Sequence, residues 1–191
     1  MATGLVLAAC GAGTHAAGGM MGGPSATSRP MGMGNASVYR YSTLTCAASS
    51  NLPGSVVTVM LGDMGMSRMM RGTAPRGAHM MLRAAPTTVR AGQVSFVVKN
   101  MGWRTHELVV LPLAPGTSAG QRVPGADGKV SEAGSLGEAS KTCGAGAGDG
   151  IAGGTTGWVT MTLPAGHYEL VCNLPNHYAD GMHQELTVPV T

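Results

Sequence analysis

Glycine and proline punctuate this chain so densely, 31 and 11 of them in 191 residues, that almost no apolar run is long enough for a helix of several turns. Glycine weakens a helix interior and proline breaks it, whereas short strands joined by turns tolerate both. The chain is therefore expected to be all-β. Its length suits one domain with appendages, not two full-sized domains. Aromatic residues are scarce, with a single Phe and two Trp, so the core is expected to be aliphatic, built from Val, Leu and Met.

Strand-like patterns recur at short intervals. Residues 55–61 carry Val56, Val57, Val59 and Leu61 around Thr58, and two further runs follow at 80–84 and 87–90. Residues 93–100 alternate, with Val94, Phe96 and Val98 on one face. The pattern continues through 105–111, where His106, Leu108 and Val110 share a face, so the imidazole points to the core from the start of its strand. Runs at 158–163 and 167–172 flank Pro164-Ala165-Gly166, a turn signal that predicts a paired hairpin. Residues 185–190 close the sheet. Between about 112 and 157 lies a Pro/Gly/Ala/Ser insertion, longer than compact domains usually carry, with a short helix expected near 131–140. Regularly spaced short strands of this kind predict a β-sandwich or barrel.

One loop carries the chemistry. The stretch Cys172-Asn-Leu-Pro-Asn-His177-Tyr-Ala-Asp-Gly-Met182 places a thiolate, an imidazole and a thioether at intervals of five. Joined by an upstream imidazole, such a set makes the soft trigonal site with a weak axial thioether that holds copper for one-electron chemistry. A lone Cys or His in a strand is usually structural. The combination and spacing reverse that expectation.

The sequence Thr-His106-Glu-Leu-Val-Val, followed by Tyr-Glu-Leu-Val-Cys172 and the loop to His177 and Met182, resembles the cupredoxins. Its ligand spacing, with Pro175 and Gly181 inside the loop, is similar to rusticyanin and sulfocyanin, not to plastocyanin or azurin. The resemblance runs from about Ser55 to the end of the chain. It implies an eight-stranded cupredoxin-like Greek-key β-sandwich holding one type 1 copper ion through His106, Cys172, His177 and axial Met182. It also implies a role in carrying single electrons between redox partner proteins. The main-chain N–H of Glu107 is expected to donate to the Cys172 sulfur, as the equivalent position does in the family. Cupredoxins often have Asn or Ser there; alternation with core-facing His106 predicts that the Glu107 side chain faces solvent. Asn173 and Tyr178 are expected neighbours that tune the potential.

The remaining sequence suggests how the domain is delivered. Residues 1–10 end in Leu7-Ala8-Ala9-Cys10, which resembles a bacterial lipoprotein processing site. Lipidated Cys10 would anchor the protein at the outer face of the cell membrane, or in the periplasm. Nine preceding residues without Lys or Arg are too few for a full leader, so the start is read as mis-called or truncated; the other reading is an ordinary flexible N-terminus that happens to contain Cys. Residues 11–54 form a Gly/Met-rich segment, expected to be a disordered tether followed by an arm, because a stretch so poor in large apolar residues cannot offset its ordering entropy. Residues 55–191 are the cupredoxin domain. Cys46 and Cys143 remain after Cys10 and Cys172 are given roles, and either pair as a disulfide or lie as two separately buried thiols.

Several functions fit poorly. The formal charge is only +3, with no basic run able to neutralise successive phosphates, so nucleic acid is not an expected partner. No two of the six His are two residues apart, which argues against the multi-copper oxidases and reductases with their His-x-His pairs. No Ser-His-Asp set, phosphate loop or zinc motif is evident, and the protein is read as a non-enzyme. His15, His79, His167 and His183 lack a partner at ligand spacing, His79 beside Met80 excepted. Fifteen Met, including Met20, Met21, Met31, Met33, Met64, Met66, Met69 and Met70, support an alternative: a copper-binding chaperone or storage lipoprotein whose thioethers hold Cu(I). Apolar filler is the plainer explanation.

Overall fold

The computed structural model describes residues 43–63 and 80–190. The expected tether, Cys10, His15, His79 and the methionines from Met64 to Met70 lie outside them. Among the described residues eight strands are present: β1 Ser55–Asp63, β2 Met80–Ala85, β3 Gly92–Asn100, β4 Leu108–Pro112, β5 Gly137–Ala139, β6 Thr155–Leu163, β7 Gly166–Val171 and β8 His183–Val188. They form two four-stranded sheets, in the orders β2-β1-β3-β6 and β5-β4-β7-β8. Only β1 and β3 run parallel; the other neighbours are antiparallel. No helix occurs among the described residues, and none there is long and apolar enough to cross a membrane.

Alternation builds the core. Val57, Val59 and Leu61 of β1 and Val94, Phe96 and Val98 of β3 turn inward from one sheet, and Leu108, Val110, Tyr168, Leu170 and Leu186 answer from the other. Each fully buried Val or Leu side chain contributes roughly 1.5–3 kcal/mol of burial energy. In β4 the pattern changes, because Leu108, Val109, Val110 and Leu111 are all buried. Val109 and Leu111 pack on the outer face with Val171, Val130 and Tyr178. Val130 belongs to the insertion, which thus covers the outer side of the second sheet and turns that strand's second face into interior.

Three local expectations are corrected. The strands flanking Pro164-Ala165-Gly166 do not pair: β6 lies against β3, and β7 between β4 and β8, so the turn carries the chain from one sheet to the other. The helix expected near 131–140 is absent. Gly134 and Gly137 adopt positive φ there, unsuited to a right-handed helix, and β5 instead pairs with the free edge of β4. Residues 87–90 make no strand of their own. Thr88 forms an isolated bridge to Thr187, with Val89 N–H donating to Thr187 O at 3.0 Å and Thr187 N–H to Thr87 O at 2.9 Å.

Cys46 and Cys143 form a disulfide. It ties the arm before β1 to the insertion, and Cys143 N–H donates to Thr156 O on β6. Asp63 and Met80 are cross-strand partners at the end of the β1/β2 pair, and Met80 N–H donates to Asp180 O at 2.8 Å. The connection between these two strands therefore has both stems beside the 172–182 loop.

Candidate metal centre

The donors come from two separate places. His106 lies just before β4, held by a reciprocal pair of main-chain bonds to Ile151 of the insertion: His106 N–H to Ile151 O at 3.1 Å and Ile151 N–H to His106 O at 2.7 Å. Cys172 follows directly on β7. The loop after it closes on itself, with Met182 N–H donating to His177 O and Cys172 N–H to Met182 O, both at 3.1 Å. Gly181 takes a φ of 100° and Asn176 one of 70°, conformations that glycine adopts freely and asparagine tolerates. Such a loop fixes three side chains relative to one another before any ligand arrives.

His106 Nδ1, Cys172 Sγ and His177 Nδ1 converge, and all three residues are buried. The separations are 3.2 Å from Sγ to His177 Nδ1, 3.8 Å from Sγ to His106 Nδ1, and 3.2 Å between the two nitrogens. A point about 2 Å from all three atoms exists inside that triangle, matching metal–nitrogen bonds and slightly short of a metal–sulfur bond of about 2.3 Å. Two imidazoles and a thiolate in one plane are the donor set of a blue-copper site. Met182, the fourth residue singled out in the sequence, is fully buried in the same loop. The His106-Cys172-His177-Met182 site fits one type 1 copper ion.

Electrostatics agree with that donor set. Burial, followed by the nearby His106, pushes the pKa of His177 down to about 3. Burial also lowers that of His106, against an opposing pull from Asp63. Both imidazoles therefore stay neutral, with lone pairs available to a metal. Burial pushes the Cys172 thiol up to about 12, only partly offset by the N–H groups of Glu107 and Leu174 that point at it. A proton thus occupies the sulfur until a metal displaces it.

Glu107 corrects an expectation. Its N–H does donate to Cys172 Sγ, at 3.3 Å, but its side chain is buried, only 8% exposed. The insertion covers the face that alternation assigned to solvent. Burial, with Glu138 and Glu132 adding to it, pushes the carboxyl up to about 7, while Lys129 and the Asn173 N–H oppose.

The insertion also clamps the metal loop. Asn173 accepts from Val130 N–H at 2.8 Å and donates to Val130 O at 3.0 Å and to Glu132 at 2.6 Å. Asn176 N–H donates to Gly128 O at 2.9 Å. The Tyr178 hydroxyl donates to buried Glu169 at 2.8 Å and accepts from Arg122 N–H at 3.0 Å; the Arg122 guanidinium pairs with the other Glu169 oxygen at 2.6 Å. Asn173 and Tyr178 were singled out in the sequence. Their partners in the insertion were not, nor were Asp63, which comes from β1 to face His106 Nε2, and Asn100, at the end of the strand just before His106. His167 makes an exposed pair with Glu185, and His183 lies against the Tyr178 ring; neither joins the centre.

The sulfocyanin (SoxE) domain model matches residues 87–191, a stretch that contains all four site residues. The chain belongs to the sulfocyanin family. Sulfocyanins are cupredoxins, and the two-sheet sandwich described above is the cupredoxin architecture that the sequence predicted. Among solved structures, similarity extends to auracyanin B, 20% identical over 78% of this chain and 97% of that one, with a TM-score of 0.44. An auracyanin from the photosynthetic bacterium Roseiflexus castenholzii is 16% identical over 72% and 98%, with a TM-score of 0.41. Rusticyanin from Thiobacillus ferrooxidans is 21% identical over 71% and 79%, with a TM-score of 0.37. No curated protein matches the chain.

Proposed function

We propose that this sulfocyanin-family protein carries single electrons between extracytoplasmic or membrane-associated redox proteins, through one type 1 copper held by His106, Cys172 and His177 with Met182 as the weak axial ligand. The observation that carries this reading is the buried convergence of two imidazole nitrogens and one sulfur, brought together by separately anchored stretches of backbone. Copper in such a site supplies a one-electron couple between its cupric and cuprous states.

The chain's own part is to keep the donors still. His106 is fixed through Ile151, and Cys172, His177 and Met182 are fixed through one another, so the same geometry serves both oxidation states. The Glu107 N–H, aimed at the sulfur, tempers the charge on the thiolate. Burial keeps water away from all four side chains. Cupredoxins are generally electron carriers, which supports reading the protein as a non-enzyme.

The disulfide supports an oxidising, extracytoplasmic compartment, since such bonds are rare in the cytosol. Leu7-Ala8-Ala9-Cys10 supports lipid anchoring at the membrane. Copper delivery or storage, the alternative suggested by the methionines, rests mostly on residues outside those described.

One preparation separates the two. Reconstitution is expected to give one tightly held copper per chain, the intense visible band of a copper–thiolate bond and a reversible one-electron titration. A colourless protein binding several cuprous ions without cycling would replace electron transfer by storage or delivery. Met182→Leu is expected to keep the colour and shift the potential; an unchanged potential would remove Met182 from the ligand set.

A further inference from the structure

We propose that Asp63 is the outer carboxylate of this centre, holding the His106 ring through Nε2 so that Nδ1 faces the metal, and favouring the oxidised over the reduced copper by its charge. The proposal rests on the copper reading above and adds a positioning residue to it.

Asp63 is the last residue of β1 and is 3% exposed. Its Oδ1 accepts the N–H of Trp103 at 2.6 Å and that of Arg104 at 3.4 Å, an environment suited to a carboxylate. The same oxygen lies 3.6 Å from His106 Nε2. That separation is longer than a hydrogen bond, and the contact is one between a charge and the ring's N–H dipole. His106 Nε2 is itself buried and has no hydrogen-bond partner among the described residues, so Asp63 is the anion it faces.

The surroundings are built to keep the carboxylate there. Asn100, fully buried at the end of β3, donates from Nδ2 to Arg104 O and to Ile151 O, both at 2.7 Å, and its Oδ1 accepts the Gly102 N–H at 3.0 Å. One amide thus shapes the turn after β3 and joins it to the residue that fixes the His106 backbone. A side chain at position 102 would collide with Asp63 Oδ1, and glycine keeps that place open. Three chain segments therefore meet behind the imidazole, on the side away from the sulfur.

Carboxylates behind metal-bound histidines fix ring orientation and raise ligand basicity, and removing them typically weakens metal binding 10–100-fold. A negative charge on the ligand shell stabilises the more highly charged ion more. Arg104 acts with the opposite sign on both histidines, so the isosteric Asp63→Asn, which leaves Arg104 in place, isolates the carboxylate.

The test compares wild type and Asp63→Asn by chelator competition for each oxidation state and by redox titration. Affinity for the cupric ion is expected to fall about tenfold or more, that for the cuprous ion less, and the potential to rise by about 59 mV for each tenfold of difference. Equal losses in both states, with an unchanged potential, would overturn the proposal and leave Asp63 a purely structural residue. If the variant does not fold, nitrogen NMR of the metal-free wild type decides: the His106 proton is expected on Nε2, and a proton on Nδ1 would overturn the proposal. A wild type without a reversible couple would sink the electron-transfer reading instead, while the metal-free tautomer tests the Asp63 contact by itself.

Discussion

The main-chain N–H of Glu107 points at the sulfur of Cys172 from 3.3 Å, so the residue after one ligand donates to the next ligand across the sandwich. The same residue carries its own side chain into the interior beneath the insertion. Backbone and carboxyl of Glu107 therefore meet two different demands: one stabilises a thiolate, while the other is easiest to bury when protonated.

The Glu107 component of the metal-free protein's stability is expected to be lost as pH rises from about 4.5 to about 7, against His106 and His177, whose lowered pKa values make stability rise with pH through the acid range. Burial raises the Glu107 carboxyl from 4.5 to about 7, so the folded state holds its proton more tightly than the unfolded state. Its contribution is complete below the lower value and is lost as pH passes the upper one. Allowing for partial solvent screening, the loss amounts to about 2 kcal/mol. Denaturant melts of wild type and Glu107→Gln across this window check it, since the variant should lack this component.

Copper uptake should release one proton from Cys172, whose thiol sits at about 12 in the metal-free protein. Both histidines are held below their usual pKa and contribute no proton above neutrality. Apparent affinity is thus expected to rise about tenfold per pH unit between roughly pH 7 and 10. Competition titrations at several pH values measure the slope, and a flat profile would contradict a protonated resting thiol.

Loss of the clamp between insertion and metal loop should be graded. Arg122→Ala leaves buried Glu169 without its cationic partner, though still accepting from Tyr178 and Gly120, and is expected to cost about 2–3 kcal/mol. Tyr178→Phe removes one hydroxyl from the same carboxylate and should cost about 1–2 kcal/mol. Thermal melts give the order; the reverse order would mean that the guanidinium contributes little.

Replacing both Cys46 and Cys143 by Ala is expected to lower stability by roughly 2–5 kcal/mol, as for a bridge that closes a long loop. The visible copper band should persist, because none of the main-chain bonds that anchor the four site residues involves either half-cystine. Bleaching of the band in a folded double variant would show that the bridge shapes the centre.

Much of this architecture is legible in the sequence where a residue's neighbour lies along its own strand or loop. The inward set Val94, Phe96 and Val98 follows from alternation, and the 172–182 loop from its own ligand spacing. What escapes is pairing. The Pro164-Ala165-Gly166 turn announces a reversal of direction without saying whether the chain stays in its sheet. The buried side of Glu107 depends on Asn173 and on Lys129, Glu132 and Glu138 of the insertion, whose approach no periodicity encodes. Asp63 ends an ordinary strand, and its place behind His106 follows only from the Asn100 turn that brings Trp103 and Arg104 over it.

Because Asp63 and Met80 are cross-strand partners and Met80 is bonded to Asp180, the span joining them has both its roots at the rim of the metal loop. The β1/β2 ladder runs up to that pair, so the span leaves from a point where the paired registers of both strands are already set. The same arrangement makes the two roots, not the span between them, the points through which a change in this connection would be felt at the metal loop.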